Sequence, residues 1–98
     1  MIKKLLKALG FSKKVPRKDK PVGEVTHYYG NLGVAIVKFN QNIPLGKNVT
    51  FQGHTTDFSQ NLESMEYDRK PVNAAPKGKE VGVKVKKRVR EGDRVYSN

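Results

Sequence analysis

From Glu80 to Arg90 the chain repeats with a period of two: Val81, Val83 and Val85, then Val89, with Lys84, Lys86 and Arg88 between and beyond them. Successive side chains of a strand point to opposite faces, so this period writes a strand with one apolar side. A strand of that kind must bury its apolar side against other strands, which sets the terms for the whole chain. Asn48–Gln52 alternates in the same way, with Val49 and Phe51 inward. Val22–Tyr29 is rich in Val, Thr and Tyr and stops at Gly30-Asn31, while Gly33–Phe39 is nearly continuous Val, Ala, Ile and Phe and reads as a strand with little exposure. Asn61–Asp68 is a further strand, in which Leu62 and Met65 have opposite parity; a bulge near Ser64 reconciles them. Pro71–Ala75 reads as an edge piece, and Arg94-Val95-Tyr96 as the last strand. Turns fall at Asn40–Gly46, Gly53–Asp57, Ala75–Lys79 and Glu91–Asp93, and Gly46, Gly78 and Gly92 sit where a sharp turn calls for positive φ. Six or seven short strands at this spacing predict a small all-β barrel or sandwich. Closure is the favoured answer because it leaves no free edge, so the expectation is a closed six-stranded β-barrel. Its buried set should include Val25, Ala35, Val37, Val49, Phe51, Val81, Val83 and Val85.

The first 20 residues obey a different rule. Ile2, Leu5, Leu6 and Leu9 fall at i, i+3, i+4 and i+7, one face of a short basic helix, and Gly10 is a plausible stop. Ser12–Pro21 follows with Lys13, Lys14, Arg17 and Lys18 and almost nothing to bury, as a linker does. The division is therefore residues 1–20, an amphipathic helix and linker, and residues 21–98, the barrel. The helix could be a frayed tail, a segment docked on the body or a partner, or an anchor on a lipid surface.

Composition narrows the function. The 98 residues contain no Cys, which removes disulfide scaffolds, zinc fingers and thiol catalysis and agrees with a reducing, cytoplasmic location. No apolar run approaches the roughly 18–20 residues of a membrane span, so no integral membrane contact is expected. Lys and Arg total 20 against nine Asp and Glu, a net charge of +11, of which +7 lies in residues 1–20. Charge of that size points to nucleic acid, the ribosome or another anionic surface.

Constellations for catalysis are thin. His54 and Asp57 could orient a base toward Ser59, but Gly53–Asp57 also reads as an ordinary turn with local backbone bonds. His27 shares strand parity with Val25 and Tyr29 and reads as a half-buried strand histidine. Two histidines with Glu63, Glu66 or Asp68 show no helical ligand spacing, so no metal, cofactor or catalytic residue is assigned. The basic residues are the better signal. Lys84, Lys86 and Arg88 would form a straight row on one strand face, about 6.6–6.8 Å apart, flanked by Lys87 and Arg90. With Lys13, Lys14, Arg17 and Lys18 they are the candidate RNA contacts, and Tyr28, Tyr29 and Phe58 the candidate stacking surfaces. A solvated strand face, with the aromatics in the core, is the other reading.

Five runs then stand in a suggestive order: Pro21–Val25, Ile43–Val49, Leu62–Glu66, Gly78–Val85 and Arg90–Tyr96. Together they resemble the second, β-barrel domain of translational GTPases such as elongation factor Tu, over residues 21–96. The resemblance implies a six-stranded closed barrel, of a type related also to barrels appended to collagenase-like peptidases. It implies contact with RNA and neighbouring domains as a class of activity. No Gly-x-x-x-x-Gly-Lys-Ser/Thr loop is present, so GTP chemistry is not carried over. The expectation is a non-enzymatic, RNA- or ribosome-associated module. The alternative is a protein-interaction barrel acting in trans beside an enzyme such as a collagenase-like peptidase, with the Ile2/Leu5/Leu6/Leu9 face as a docking peptide.

Overall fold

The computed structural model describes residues 20–98. The Ile2/Leu5/Leu6/Leu9 helix and the cations Lys13, Lys14, Arg17 and Lys18 lie outside the described residues. Within them the chain is all-β, and every strand pairing is antiparallel. The strands are β1 (Gly23–Tyr29), β2 (Val34–Phe39), β3 (Ile43–Pro44), β4 (Asn48–Gln52), β5 (Asp57–Asn61), β6 (Met65–Tyr67), β7 (Lys70–Pro71), β8 (Ala74–Ala75), β9 (Glu80–Lys84) and β10 (Arg94–Ser97). Eight of them form one sheet in the order β5-β4-β10-β1-β2-β9-β6-β7, and β3 pairs with β8 apart from it.

The sheet curls around a single core to which both of its halves contribute. Val49, Phe51 and Val95 on one side meet Met65, Val81 and Val83 on the other, and all eight residues expected inside are buried. Alternation explains this directly, since each strand turns its apolar parity inward. The outward parity carries charge. Arg94, Glu24, Lys38 and Glu80 are successive cross-strand neighbours on β10, β1, β2 and β9, so positive and negative side chains alternate across four strands. Opposite charges facing each other stabilise a pairing by about 0.2–1 kcal/mol each. A slip of one residue would bury that row and expose the valines, so the same pattern fixes the register.

The expected closed six-stranded barrel is not what forms. The sheet is an open, curled half-barrel of eight strands whose ends, β5 and β7, have no ladder between them. The cause lies in the stretch expected to be one bulged strand from Asn61 to Asp68. Pairing stops at Asn61, Leu62–Ser64 crosses as irregular chain, and β6 starts afresh at Met65. Leu62 keeps the inward parity of Gln60 and still donates its N–H to the Lys47 carbonyl at 2.9 Å; the irregular chain after it lets Met65 reach the core as well. A side chain bridges the gap instead of a ladder. Gln60, on the edge strand β5, is 5% exposed; its Nε2 donates to the Lys84 carbonyl at 2.8 Å, and its Oε1 accepts from the Lys86 N–H at 2.8 Å.

The run expected to be one strand from Glu80 to Arg90 also divides. Strand β9 ends at Lys84 because its neighbours run out there. Its partner β2 begins at Val34, preceded by Gly33 at φ 65°, and the last bonds on either side are Val85 N–H to the Gly33 carbonyl and Lys84 N–H to the Ser64 carbonyl. Beyond them Lys86–Arg90 crosses irregularly toward β10, ending where the Asp93 carboxylate accepts the Arg90 N–H at 2.8 Å. Asp93 is buried, and a Cβ on Gly53 would land on its carboxylate, so only glycine fits beside it. Gly46, Gly78 and Gly92 carry positive φ, as the turn chemistry required.

Candidate functional site

A shallow cleft of about 430 Å³ lies over β10, β1 and β2, lined by Pro21, Glu24, Thr26, Lys38, Lys77 and Arg94 above Gly23 and Phe39. Its rim is the alternating charge row, in which Glu24 stands between Lys38 and Arg94. With Lys77 the cleft holds three cations against the one carboxylate of Glu24, so no pair of carboxylates and no base–nucleophile couple converges there.

A denser group of cations lies at the end of the sheet where β1 turns into β2. Strand direction and register bring three other features to that end: the Lys84 terminus of β9, the loop Gly53–Thr56 between β4 and β5, and the turn before β10. Lys84, Lys86, Lys87, Arg88 and Arg90 are all exposed, Lys87 against the parity it shares with Val85 and Val89. They do not form a straight row, because only Lys84 is in a strand. Lys84 Nζ donates to the Leu32 carbonyl at 3.0 Å and braces the β1–β2 turn. Lys87 Nζ stands 6.0 Å from the centre of the Phe58 ring, within cation–π range. Arg90 Nε donates to Thr55 Oγ1 at 3.0 Å.

The aromatics are placed by one irregularity. A bulge in β1 shifts the pairing between Val25 and His27, so that Val25 faces Val37 but His27 faces Ile36. The extra residue reverses the parity of the rest of the strand. Tyr28 pairs with buried Ala35 and packs on the core, whereas His27 and Tyr29 come to the outer surface. The expected half-buried histidine is therefore exposed. Its Nδ1 lies 2.9 Å from Glu91 Oε2, and its ring meets Tyr29 edge-on at 4.4 Å. Phe58 stacks on Phe51 at 5.2 Å.

Ser59 is engaged across the ladder rather than in a catalytic array: its hydroxyl lies 2.6 Å from Thr50 Oγ1. Among the described residues no group of three or more His, Asp or Glu could hold a metal ion, and no helix is long and apolar enough to cross a membrane. Every buried side-chain polar atom described has a hydrogen-bond partner. Sequence reasoning passed over Leu32 and Gln60. Leu32 is 62% exposed at the tip of the β1–β2 turn. Its signal was present, as an apolar residue in the turn sequence Gly30-Asn31-Leu32-Gly33. Gln60 carried none, since a lone Gln on an edge strand reads as solvated.

No family model matches the chain. In sequence it is similar to an uncharacterized protease of Methanocaldococcus jannaschii, 37% identical over 76 residues that make up 76% of this chain and 19% of that protein. It is similar also to a collagenase of Porphyromonas gingivalis, 30% identical over 82 residues, 82% of this chain and 23% of the collagenase. The chain thus spans about a fifth of the length of the curated relatives it matches. In structure it is similar to the C-terminal domain of a U32 peptidase from Geobacillus thermoleovorans. The TM-score is 0.74 at 24% identity, over 79% of this chain and 90% of that domain. The selenomethionine variant of the same domain gives 0.73 and 25%, over 80% of this chain and 99% of that one. These likenesses overturn the assignment to the elongation-factor barrel, and the ribosome association that came with it. The open sheet separates this chain from a closed six-stranded barrel.

Proposed function

We propose that residues 21–98 form a non-catalytic accessory domain that works beside a collagenase-like peptidase of the U32 type, with residues 1–20 as an appended basic segment. The observation that carries the reading is the 37% identity to a stretch amounting to only 19% of a protease. A stretch that small is a domain's share of a larger enzyme. Likeness of fold to a peptidase's C-terminal domain supports it. So does the chemistry of the described surface, where Ser59 is held by Thr50 and the cleft has a single carboxylate, Glu24. Such a domain contributes binding and placement, while bond cleavage belongs to the rest of the enzyme.

The test is a titration of the full chain, by calorimetry, into each purified collagenase-like peptidase encoded in the genome that carries it. A stoichiometric complex with a dissociation constant near or below about 10 μM, in the range of transient domain contacts, is the expected result. The chain alone should leave a gelatin or collagen-peptide substrate intact. Absence of any complex, or cleavage by the chain alone, would sink the reading.

A further inference from the structure

We infer that the end of the sheet built from the β1–β2 turn and the Lys84–Arg90 crossing is the partner-docking surface, and that it takes a folded protein with an apolar pocket rimmed by carboxylates. The inference rests on the accessory-domain reading and names the face that performs it. Three large apolar side chains are exposed among the described residues: Leu32 at 62%, Tyr29 at 48% and Leu45 at 39%. Two of them share one tight turn, in which the Leu32 and Gly33 N–H groups both donate to the Tyr29 carbonyl. Lys84 Nζ, on the Leu32 carbonyl, holds that turn against β9. A braced apolar pair loses little entropy on binding, which is what an anchor residue requires.

Charge completes the surface. Five cations, Lys84, Lys86, Lys87, Arg88 and Arg90, stand at this end; the exposed carboxylates beside them are Asp57, Glu91, which lies 2.9 Å from His27, and Glu66, which lines a small pocket with Lys84. Across β10, β1, β2 and β9 the outer face instead alternates in sign, from Arg94 through Glu24 and Lys38 to Glu80. An apolar centre with a cationic rim is complementary to a protein surface of the reverse composition. Single-stranded nucleic acid would instead need free aromatic faces. Here Phe58 is stacked on Phe51 and Tyr28 is packed on the core, so of the three only Tyr29 offers an exposed ring.

The experiment compares variants of the full chain in the peptidase titration. Leu32→Glu and, separately, Tyr29→Ala should weaken binding by at least about tenfold. The triple change Lys86→Gln, Lys87→Gln, Arg88→Gln should weaken binding by about tenfold at low salt and remove most of its salt dependence. Leu45→Glu is the control. It follows β2, so it lies at the other end of the β1–β2 hairpin, and it should bind as the parent does. Thermal melts exclude misfolding, and Tyr29→Ala stands in if Leu32→Glu fails to fold. Parent-like binding by the Leu32 and Tyr29 variants would overturn this surface and leave the accessory role standing. No binding by the parent chain would overturn both. A uridine oligonucleotide bound more tightly than the peptidase, and released by the triple change, would transfer the cations to RNA.

Discussion

Glu80–Lys84 and Val85–Arg90 share one alternating pattern and bury their valines to the same extent: Val81 and Val83 in the first, Val85 and Val89 in the second, all at 6% exposure or less. Only the first is a strand. It has β2 on one side and β6 on the other, so its backbone groups find ladders. The second has no neighbour in register and takes a side-chain amide and a carboxylate in place of a ladder. Alternation therefore reports which side chains face inward. It does not report what the backbone is bonded to, and the two separate wherever a sheet ends.

The largest effects should come from the core, and they test whether burial alone decides. Val83→Ala and Val89→Ala each leave a cavity at a fully enclosed position and should cost about 1–3 kcal/mol in chemical denaturation. Similar values would mean that the crossing packs as firmly as the strand. A Val89 value below about 0.5 kcal/mol, the range of ordinary surface changes, would mean that the crossing is only laid over the core.

A smaller loss, about 1–2 kcal/mol, is expected for Gln60→Ala, which strands the Lys84 carbonyl and the Lys86 N–H without their partner. Hydrogen exchange sharpens the point: the Lys86 amide should lose protection in this variant while the Val83 amide keeps it. Equal loss at both would show that Gln60 supports the whole sheet rather than the seam. Smallest is Glu24→Lys, which sets like charges beside Lys38 and Arg94 and should cost roughly 0.5–1 kcal/mol at low salt. Raising the salt should recover most of that loss, since the site is exposed and screened. A loss indifferent to salt would place its origin in packing.

The strands β1, β2, β4 and β10, their inward residues and the glycine turns could be read from the residues because each follows from local geometry, as at Val49 and Phe51 in β4 or Gly92 before β10, whereas β5, whose Asp57–Asn61 is mostly polar, was not read as a strand. The candidate surface was half legible. Its cations were found by composition, but their straight row was an extrapolation of β9 past the end of its partners. Leu32 was overlooked because a single apolar residue in a turn has no period to betray it. His27 was misplaced because a bulge is invisible to parity counting: the residue added at Thr26 turns Tyr28 inward and His27 out.

By itself, then, the sequence determined that residues 20–98 are all-β, that the alternating valines and Phe51 face inward and that the chain carries a large positive charge, since alternation, turn residues and composition act within a few residues of one another. Only the tertiary structure decided that the sheet stays open, that Gln60 bridges its seam and that Lys84 braces Leu32 at the exposed tip. Each of those depends on residues 24 to 52 positions apart in the chain. Contacts at that separation arise from how the strands pack, and no local pattern encodes them.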